Sequence, residues 1–146
     1  MTRITRLLGL PMRDIALLAQ TATTVIAVRL ALPFSSAERL RRWAGRFGQG
    51  TVPSSRIVWA VALASRNIAG TKCLAAALSL QRLLSANGIS SELRIGVGRH
   101  DRKFGAHAWV VKDDEILIGE EAHQQYTVLA CWRTGLESTR DAGGAV

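Results

Sequence analysis

Cys73 combines a reactive side chain with a position at the start of a predicted helix. It lies in the stretch GTKCLAAALSLQRLL, where Thr71 is a candidate N-cap for the apolar helical pattern that follows. A helix N-terminus favours the thiolate, which is the form that attacks carbonyl carbons, and its free amides can hold the resulting oxyanion. The residue is therefore a candidate nucleophile. The alternative is a small core residue, since free cysteines are among the most buried side chains.

A nucleophilic thiol needs a base, and His107 is the best placed of three histidines. It lies in FGAHAWVV, at the start of a predicted strand, whereas His100 falls in a polar loop and His123 follows two acids. Alternation along the strand puts His107, Trp109 and Val111 on one face. His107 is thus either a general base or a packed histidine.

An acid opposite His107 would complete a catalytic triad. If Asp113-Asp114 forms a two-residue hairpin turn, counting outward from the turn places Glu120 opposite His107. Paired Cβ atoms lie about 5 Å apart, close enough for a carboxylate to orient the imidazole and stabilise its cation. A three-residue turn would bring Glu121 there instead. The alternative is that both glutamates are surface acids.

The elements that must position these side chains are helices followed by strands. A period of 3.6 residues predicts helices over residues 11–32, 36–47, 53–67 and 72–86. A period of two then predicts a strand around Leu93 and strands over residues 106–112, 116–119 and 126–132, with a polar loop at 98–105. We expect consecutive strands to pair as an antiparallel meander. The fold class is therefore α+β.

Individual residues mark the ends of the predicted helices. Asp14 is expected in the first turn of the first helix, and Ser35 or Ser36 should cap the second. Gly70 should be the left-handed residue that ends the third helix. One face of the second helix is predicted to carry Leu40, Trp43 and Phe47.

The positive charge is confined to one half of the chain. The net charge is +8. Residues 1–72 hold eleven Arg or Lys and two acids, whereas residues 73–146 hold eight Arg or Lys and nine acids. Such a basic half suits nucleic acid, an anionic membrane surface or an acidic peptide, the alternative being a solvated helical face. Zinc-finger spacing and RNA-recognition motifs are both missing, so no nucleic-acid partner is expected.

The cysteine and histidine content indicates the redox compartment and whether a cofactor is expected. Two cysteines are too few for a disulfide framework, which favours a reducing cytoplasm. The Cys and His spacings match no zinc pattern, so neither a metal nor another cofactor is expected. The apolar run over residues 15–28 is too short to span a bilayer, and no signal-peptide cleavage site follows it. It is predicted to form a core or interfacial helix.

The helix TKCLAAALSLQRLL, followed by SELRIGVG and then FGAHAWVV, resembles the leader peptidases of lasso-peptide biosynthesis. The similarity covers about residues 59–132, and the cysteine helix and the HAW strand are its specific parts. It implies a papain- and transglutaminase-like cysteine protease, with its catalytic helix packed on a small antiparallel sheet. Cys73 matches the family's nucleophile and His107 its histidine. The family's third residue is usually an aspartate, and Glu120 takes that place in LIGEE.

The resemblance also implies a substrate, partners and a domain division. The enzyme would remove the leader from a lasso precursor peptide, with a separate leader-recognition protein and an asparagine-synthetase-like cyclase as partners. The division would be a basic helical region at 1–52, a protease core at 53–134 and a flexible tail at 135–146. The basic region could dock the leader or make a peripheral membrane contact. Trp59 and Gln81 are candidates for a second oxyanion donor, the alternative being core and helix-surface roles.

Two other functions compete with the protease hypothesis. A transglutaminase-type acyl transferase would use the same triad with an amine as acceptor. Alternatively, the basic helical half is a non-catalytic module that binds peptides or membranes. Cys73 would then be inert.

Overall fold

Within the residues that the computed structural model describes, four helices precede four strands. The structure describes residues 9–68, 70–100, 102–118 and 126–134, without the side chains of Ala37 and His100. The helices are α1 (Met12–Ala31), α2 (Ala37–Ala44), α3 (Ser54–Asn67) and α4 (Cys73–Ala86). The strands are β1 (Glu92–His100), β2 (Lys103–Lys112), β3 (Glu115–Ile118) and β4 (Thr127–Arg133). The predicted α+β class is confirmed.

The N-terminal helices begin where their capping signals predict. α1 follows Pro11 and carries Asp14 in its first turn. The hydroxyl of Ser36 accepts a hydrogen bond from the Arg39 amide at 3.2 Å, which caps α2. The predicted extension of α2 to Phe47 is wrong, because the helix ends at Ala44 and the Phe47 side chain is 46% exposed.

The segment between α2 and α3 docks on the C-terminal end of α4. The Asn87 side chain accepts from the Val52 amide at 3.0 Å and donates to the Leu83 carbonyl at 2.8 Å. Gly48 and Gly50 donate their amides to the Ser85 and Ala86 carbonyls. Orphan carbonyls at a helix end need such partners, so this segment closes α4.

The sheet is antiparallel, with the strand order β3-β2-β1-β4. The predicted meander is therefore wrong at its last step, because β4 pairs with β1 instead of β3. The predicted polar loop is also wrong, because β1 and β2 continue until His100 pairs with Lys103. Only two residues connect these strands. Most of the polar segment at 98–105 therefore belongs to the paired strand ends of a long hairpin.

The β2–β3 hairpin has the predicted two-residue turn but not the predicted register beyond it. Asp113 and Asp114 both have positive φ, at 50° and 64°, and Lys112 pairs with Glu115. These values suit a type I′ turn, whose twist matches that of paired strands. A register shift between Val110 and Val111 then moves the pairing by one residue.

The core lies between α4 and one face of the sheet. Most of α4 is buried, and its side chains pack with residues of α1, α2, α3, β1 and β2 in one hydrophobic cluster. The buried Gln81 amide donates to the Trp132 carbonyl at 2.8 Å, which ties α4 to β4. The basic helices thus share the core on which the later elements pack.

α1 is long and apolar, yet the protein covers only one side of it. By length and composition it could cross a membrane, which holds for no other helix within the described residues. Its inward face buries Asp14, Leu17, Thr21, Val25 and Val28. Only 28% of its apolar window is buried, so α1 is a core helix on one side and an exposed apolar helix on the other.

Candidate active site

Cys73 is the first residue of α4. Lys72 occupies the N-cap position without a side-chain cap, and Thr71 instead donates its hydroxyl to the Ile68 carbonyl at 2.9 Å. The prediction that Thr71 caps the helix is therefore wrong. The first cap hydrogen bond runs from the Ala76 amide to the Lys72 carbonyl, so the amides of the first three helical residues have no intrahelical acceptor.

Cys73 is partly buried, and a cationic side chain lies beside the loop that precedes it. The side chain is half-buried and packs against the hydrophobic cluster, and the first turn of α4 contains no acidic residue. Gly70 has a φ of 77°, as predicted for a left-handed residue. A Cβ there would lie 2.6 Å from Nη2 of Arg29, so this guanidinium of α1 sits beside the loop that leads into α4.

His107 lies in the middle of β2, opposite Gly96 of β1. Its half-buried ring stacks on Trp109, with a centroid distance of 5.9 Å and an interplanar angle of 23°. The ring of Tyr126 lies at a centroid distance of 5.3 Å and an interplanar angle of 32°. Aromatic contacts at these distances stabilise a defined ring orientation, so two larger rings restrict the imidazole.

Two glycines lie beneath this aromatic cluster, which consists of His107, Trp109 and Tyr126. A Cβ on Gly96 would lie 3.0 Å from Cη2 of Trp109 and 3.0 Å from Cβ of Tyr126. A Cβ on Gly105 would meet only Tyr126, whose hydroxyl oxygen would lie at an ordinary 3.5 Å. Neither Tyr126 nor Gly96 was predicted from the sequence as a site residue. A glycine inside a strand was the available signal, because it often marks a close approach by another group.

The fold brings together the elements that carry Cys73 and His107. α4 packs directly on β2. Ala108 and Val110 of that strand belong to the hydrophobic cluster under α4, whereas alternation places His107 and Trp109 on the other face. The structure thus places Cys73 and His107 on neighbouring elements but puts the imidazole on the face of β2 that points away from α4, so contact between the sulfur and the imidazole is a prediction of the proposed function.

The predicted third member lies outside the described residues, as do Glu121 and His123. Glu120 was selected by counting outward from the hairpin turn with an unbroken register. The register shift between Val110 and Val111 removes that basis for preferring Glu120 to Glu121. His100 is the last residue of β1, not part of a long loop.

A polar cluster lies at the end of the sheet where β1 begins. Glu92 accepts hydrogen bonds from Arg94 at 2.6 Å and from Arg133 at 2.8 Å. Although burial opposes ionisation, these arginines hold the pKa of Glu92 below its usual value. Partial burial, followed by the nearby Glu92 carboxylate, raises the pKa of the Cys131 thiol. At neutral pH, a smaller fraction of Cys131 is therefore in the thiolate form than for an ordinary cysteine.

The candidate oxyanion donors differ in availability. The amide nitrogen of Gln81 is engaged with the Trp132 carbonyl, and the residue is fully buried, so its predicted helix-surface role is wrong. Trp59 is half-buried under the guanidinium of Arg56. Within the described ranges, no group of three or more His, Cys, Asp or Glu residues is placed to hold a metal ion.

Comparison with known proteins places this arrangement in a family. The family model for the transglutaminase-like superfamily matches residues 13–131, from the first turn of α1 to the last residues of β4. Searches of curated proteins and of solved structures gave no match. The matched region includes the cysteine at the head of α4 and the histidine in β2. Since it spans most of the sequence, the chain belongs to the transglutaminase-like superfamily.

Proposed function

We propose that this protein is a cysteine peptidase that removes the leader from a lasso precursor peptide. One observation carries the proposal: a transglutaminase-like domain starts its central helix at Cys73 and packs that helix on the strand of the HAW motif. The superfamily is compatible with a cysteine protease or an acyl transferase. The lasso assignment rests on the sequence resemblance of that helix and strand.

In the proposed reaction, His107 takes the proton of the Cys73 thiol and the thiolate attacks the carbonyl carbon at the leader–core junction. The oxyanion accepts hydrogen bonds from the free amides at the start of α4. His107 then protonates the leaving amine, which frees the N-terminus of the core peptide and leaves the leader as a thioester on Cys73. Water attacks the thioester, releasing the leader acid and restoring the thiol.

A carboxylate beside His107 would stabilise the imidazolium in each proton transfer, and we assign this role to Glu120 with Glu121 as the competing candidate. The proposed setting is the cytoplasm. A separate leader-recognition protein would deliver the substrate, and an asparagine-synthetase-like cyclase would use the freed amine.

Replacing each cysteine in turn tests the nucleophile. Cys73→Ala should reduce precursor cleavage by at least about a thousandfold, whereas the matched Cys131→Ala should retain it. Cleavage is followed by mass spectrometry of the precursor. If Cys73→Ala retained cleavage, Cys73 would not be the nucleophile. An isopeptide-linked product in place of a free leader acid would identify an acyl transferase instead.

Alkylation tests whether the imidazole of His107 reaches the sulfur. In the wild type, iodoacetamide should modify Cys73 faster than Cys131 near pH 7, because a raised pKa keeps Cys131 in the thiol form. His107→Ala should slow the modification of Cys73 and leave that of Cys131 unchanged. An unchanged Cys73 rate would show that the two side chains do not interact, which would overturn the assigned base.

A further inference from the structure

The outer face of α1 is an unusually continuous apolar surface. Eight exposed residues follow one another along it at helical spacing, namely Met12, Ile15, Ala16, Ala19, Thr23, Ile26, Ala27 and Leu30. We call this set the outer stripe. Three of its large side chains are well exposed, with Met12 at 81%, Ile26 at 45% and Leu30 at 64%. Phe34, just beyond the helix, is also exposed, at 86%.

The one hydroxyl of the outer stripe does not interrupt its apolar character. Thr23 donates its side-chain hydroxyl to the Ala19 carbonyl at 2.8 Å. This internal bond satisfies the donor, so the hydroxyl can enter an apolar medium at less cost than a free one. The stripe runs along about 30 Å of helix at a rise of 1.5 Å per residue.

Cations border the outer stripe. At about 100° per residue, Arg13 and Arg29 fall on its two opposite margins, and both are exposed. A groove of about 690 Å³ lies between one margin of the stripe and α2. Its lining includes Ala27 and Ala31 from α1 and, on the other side, Arg39 and Arg46. Neither of these two arginines forms an ion pair within the described part of the chain.

We propose that the outer stripe lies on an anionic lipid surface, with α1 parallel to the membrane plane. An apolar band bordered by arginines matches the layering of a lipid interface, where acyl chains lie below a layer of negative headgroups. The phosphate layer would contact Arg13, Arg29 and the groove, and each such cation strengthens binding to anionic lipid. The inward face of α1 stays in the protein core. This inference is independent of the proposed peptidase activity.

Vesicle sedimentation of the full chain tests the proposal. The wild type should bind vesicles of phosphatidylcholine mixed with phosphatidylglycerol, and high salt should weaken that binding because it screens the arginines. Leu30→Glu should weaken binding about tenfold or more, since it places a charge in the apolar layer. Leu129→Glu is a matched control, because Leu129 is 66% exposed on β4 and lies outside the stripe. It should bind like the wild type.

Three results would overturn the proposal. They are a wild type that fails to bind the anionic vesicles, equal losses for Leu30→Glu and Leu129→Glu, and a dimer in vesicle-free solution that Leu30→Glu dissociates. The dimer result would assign the stripe to a second copy of the chain. Circular dichroism checks folding, and Ile26→Ser provides a second substitution on the stripe that introduces no charge.

Discussion

At the scale of single residues, two uncharged aromatic side chains contribute to the orientation of His107. Trp109 is 2% exposed, so its indole is fixed by packing and in turn restricts the orientation of the imidazole that stacks on it. The Tyr126 ring also contacts the imidazole and restricts its orientation. A base must be held within a few tenths of an ångström of its productive position, so this aromatic cluster acts as a positioning device for the proposed catalysis.

Gly96→Ala should reduce peptidase activity by about tenfold or more, because the new methyl group would crowd the Thr127 carbonyl oxygen, Trp109 and Tyr126 and so shift the two rings that contact His107. The matched Gly105→Ala should retain activity, since its methyl group would make only an ordinary contact with Tyr126. The measurement is kcat/KM on the precursor, with thermal melting as a check on folding. Equal activity in the two variants would show that the cluster does not position the imidazole.

Residue chemistry was more predictable from the sequence than residue contacts. The cysteine at a helix start and the histidine on a strand follow from local patterns, which short-range sequence determines. The packing of Tyr126 on His107 depends on the partner that β4 chooses, and no local pattern specifies that choice. The cap was mispredicted for a similar reason, because the Thr71 hydroxyl finds a nearer acceptor in the preceding turn.

At the scale of secondary-structure elements, Glu92 joins β1 to β4, a strand that is distant in sequence. Its carboxylate binds Arg94 on β1 and Arg133 on β4, and it is 14% exposed. β4 is an edge strand and pairs with β1, whereas the predicted meander would have paired it with β3. The ion pair between Glu92 and Arg133 therefore fastens this edge of the sheet. The ion pairs thus contribute to sheet order as well as to stability.

Glu92→Gln should lower the free energy of unfolding by about 1 kcal/mol near pH 7, discounted for the solvent exposure of the arginines. Because the pKa of Glu92 is lowered on folding, its contribution is complete above the unfolded pKa of about 4.3 and is lost as pH falls through the folded pKa. In urea unfolding, the difference between the two proteins should therefore shrink as pH falls below the unfolded pKa and vanish once pH is below the folded pKa of Glu92.

Glu38→Gln is the control for this measurement. Glu38 pairs with Arg42 within α2, but both side chains are exposed, at 69% and 77%, so the substitution should cost less than about 0.5 kcal/mol. A Glu92→Gln deficit that stayed constant from pH 7 to pH 3 would contradict the electrostatic explanation.

The elements themselves were largely predictable, and their pairings were not. α1, α3 and α4 match their predicted bounds within one or two residues, because proline, serine and glycine signals lie at their ends. The two-residue turn at Asp113-Asp114 was also predicted. The register shift that follows depends on how β3 packs beside Val110, so counting from the turn could not determine the acid opposite His107.

At the scale of the whole molecule, α1 faces two environments at once. Its inner face contributes Val28 to the cluster that α4 shares with the sheet, whereas its outer stripe faces away from the protein. The excess positive charge of residues 1–72 accompanies this helix and its neighbours. A domain boundary near residue 52 stays a prediction, although α1 and α2 belong to the same core as α4.

The ion pair between Asp14 and Arg56 joins α1 to α3, and its two ends differ in access to water. The Asp14 side chain is 9% exposed, whereas that of Arg56 is 44% exposed. The hydrogen bond to Asp14 raises the pKa of Arg56, so this guanidinium stays charged throughout the working range. Loss of Arg56 would leave a buried carboxylate unpaired, but loss of the acid would leave a cation that can still be hydrated.

Arg56→Gln should therefore lower Tm by several degrees, and Asp14→Asn should lower it by less, although both remove the same ion pair. The double variant should be more stable than Arg56→Gln, because it no longer buries an unpaired charge. Calorimetry at neutral pH gives the order, with Arg66→Gln as a control on the exposed end of α3 that should match the wild type. If Asp14→Asn were the more damaging substitution, burial of the carboxylate would not control the attachment of α1. The outer stripe would then need support from other contacts of that helix.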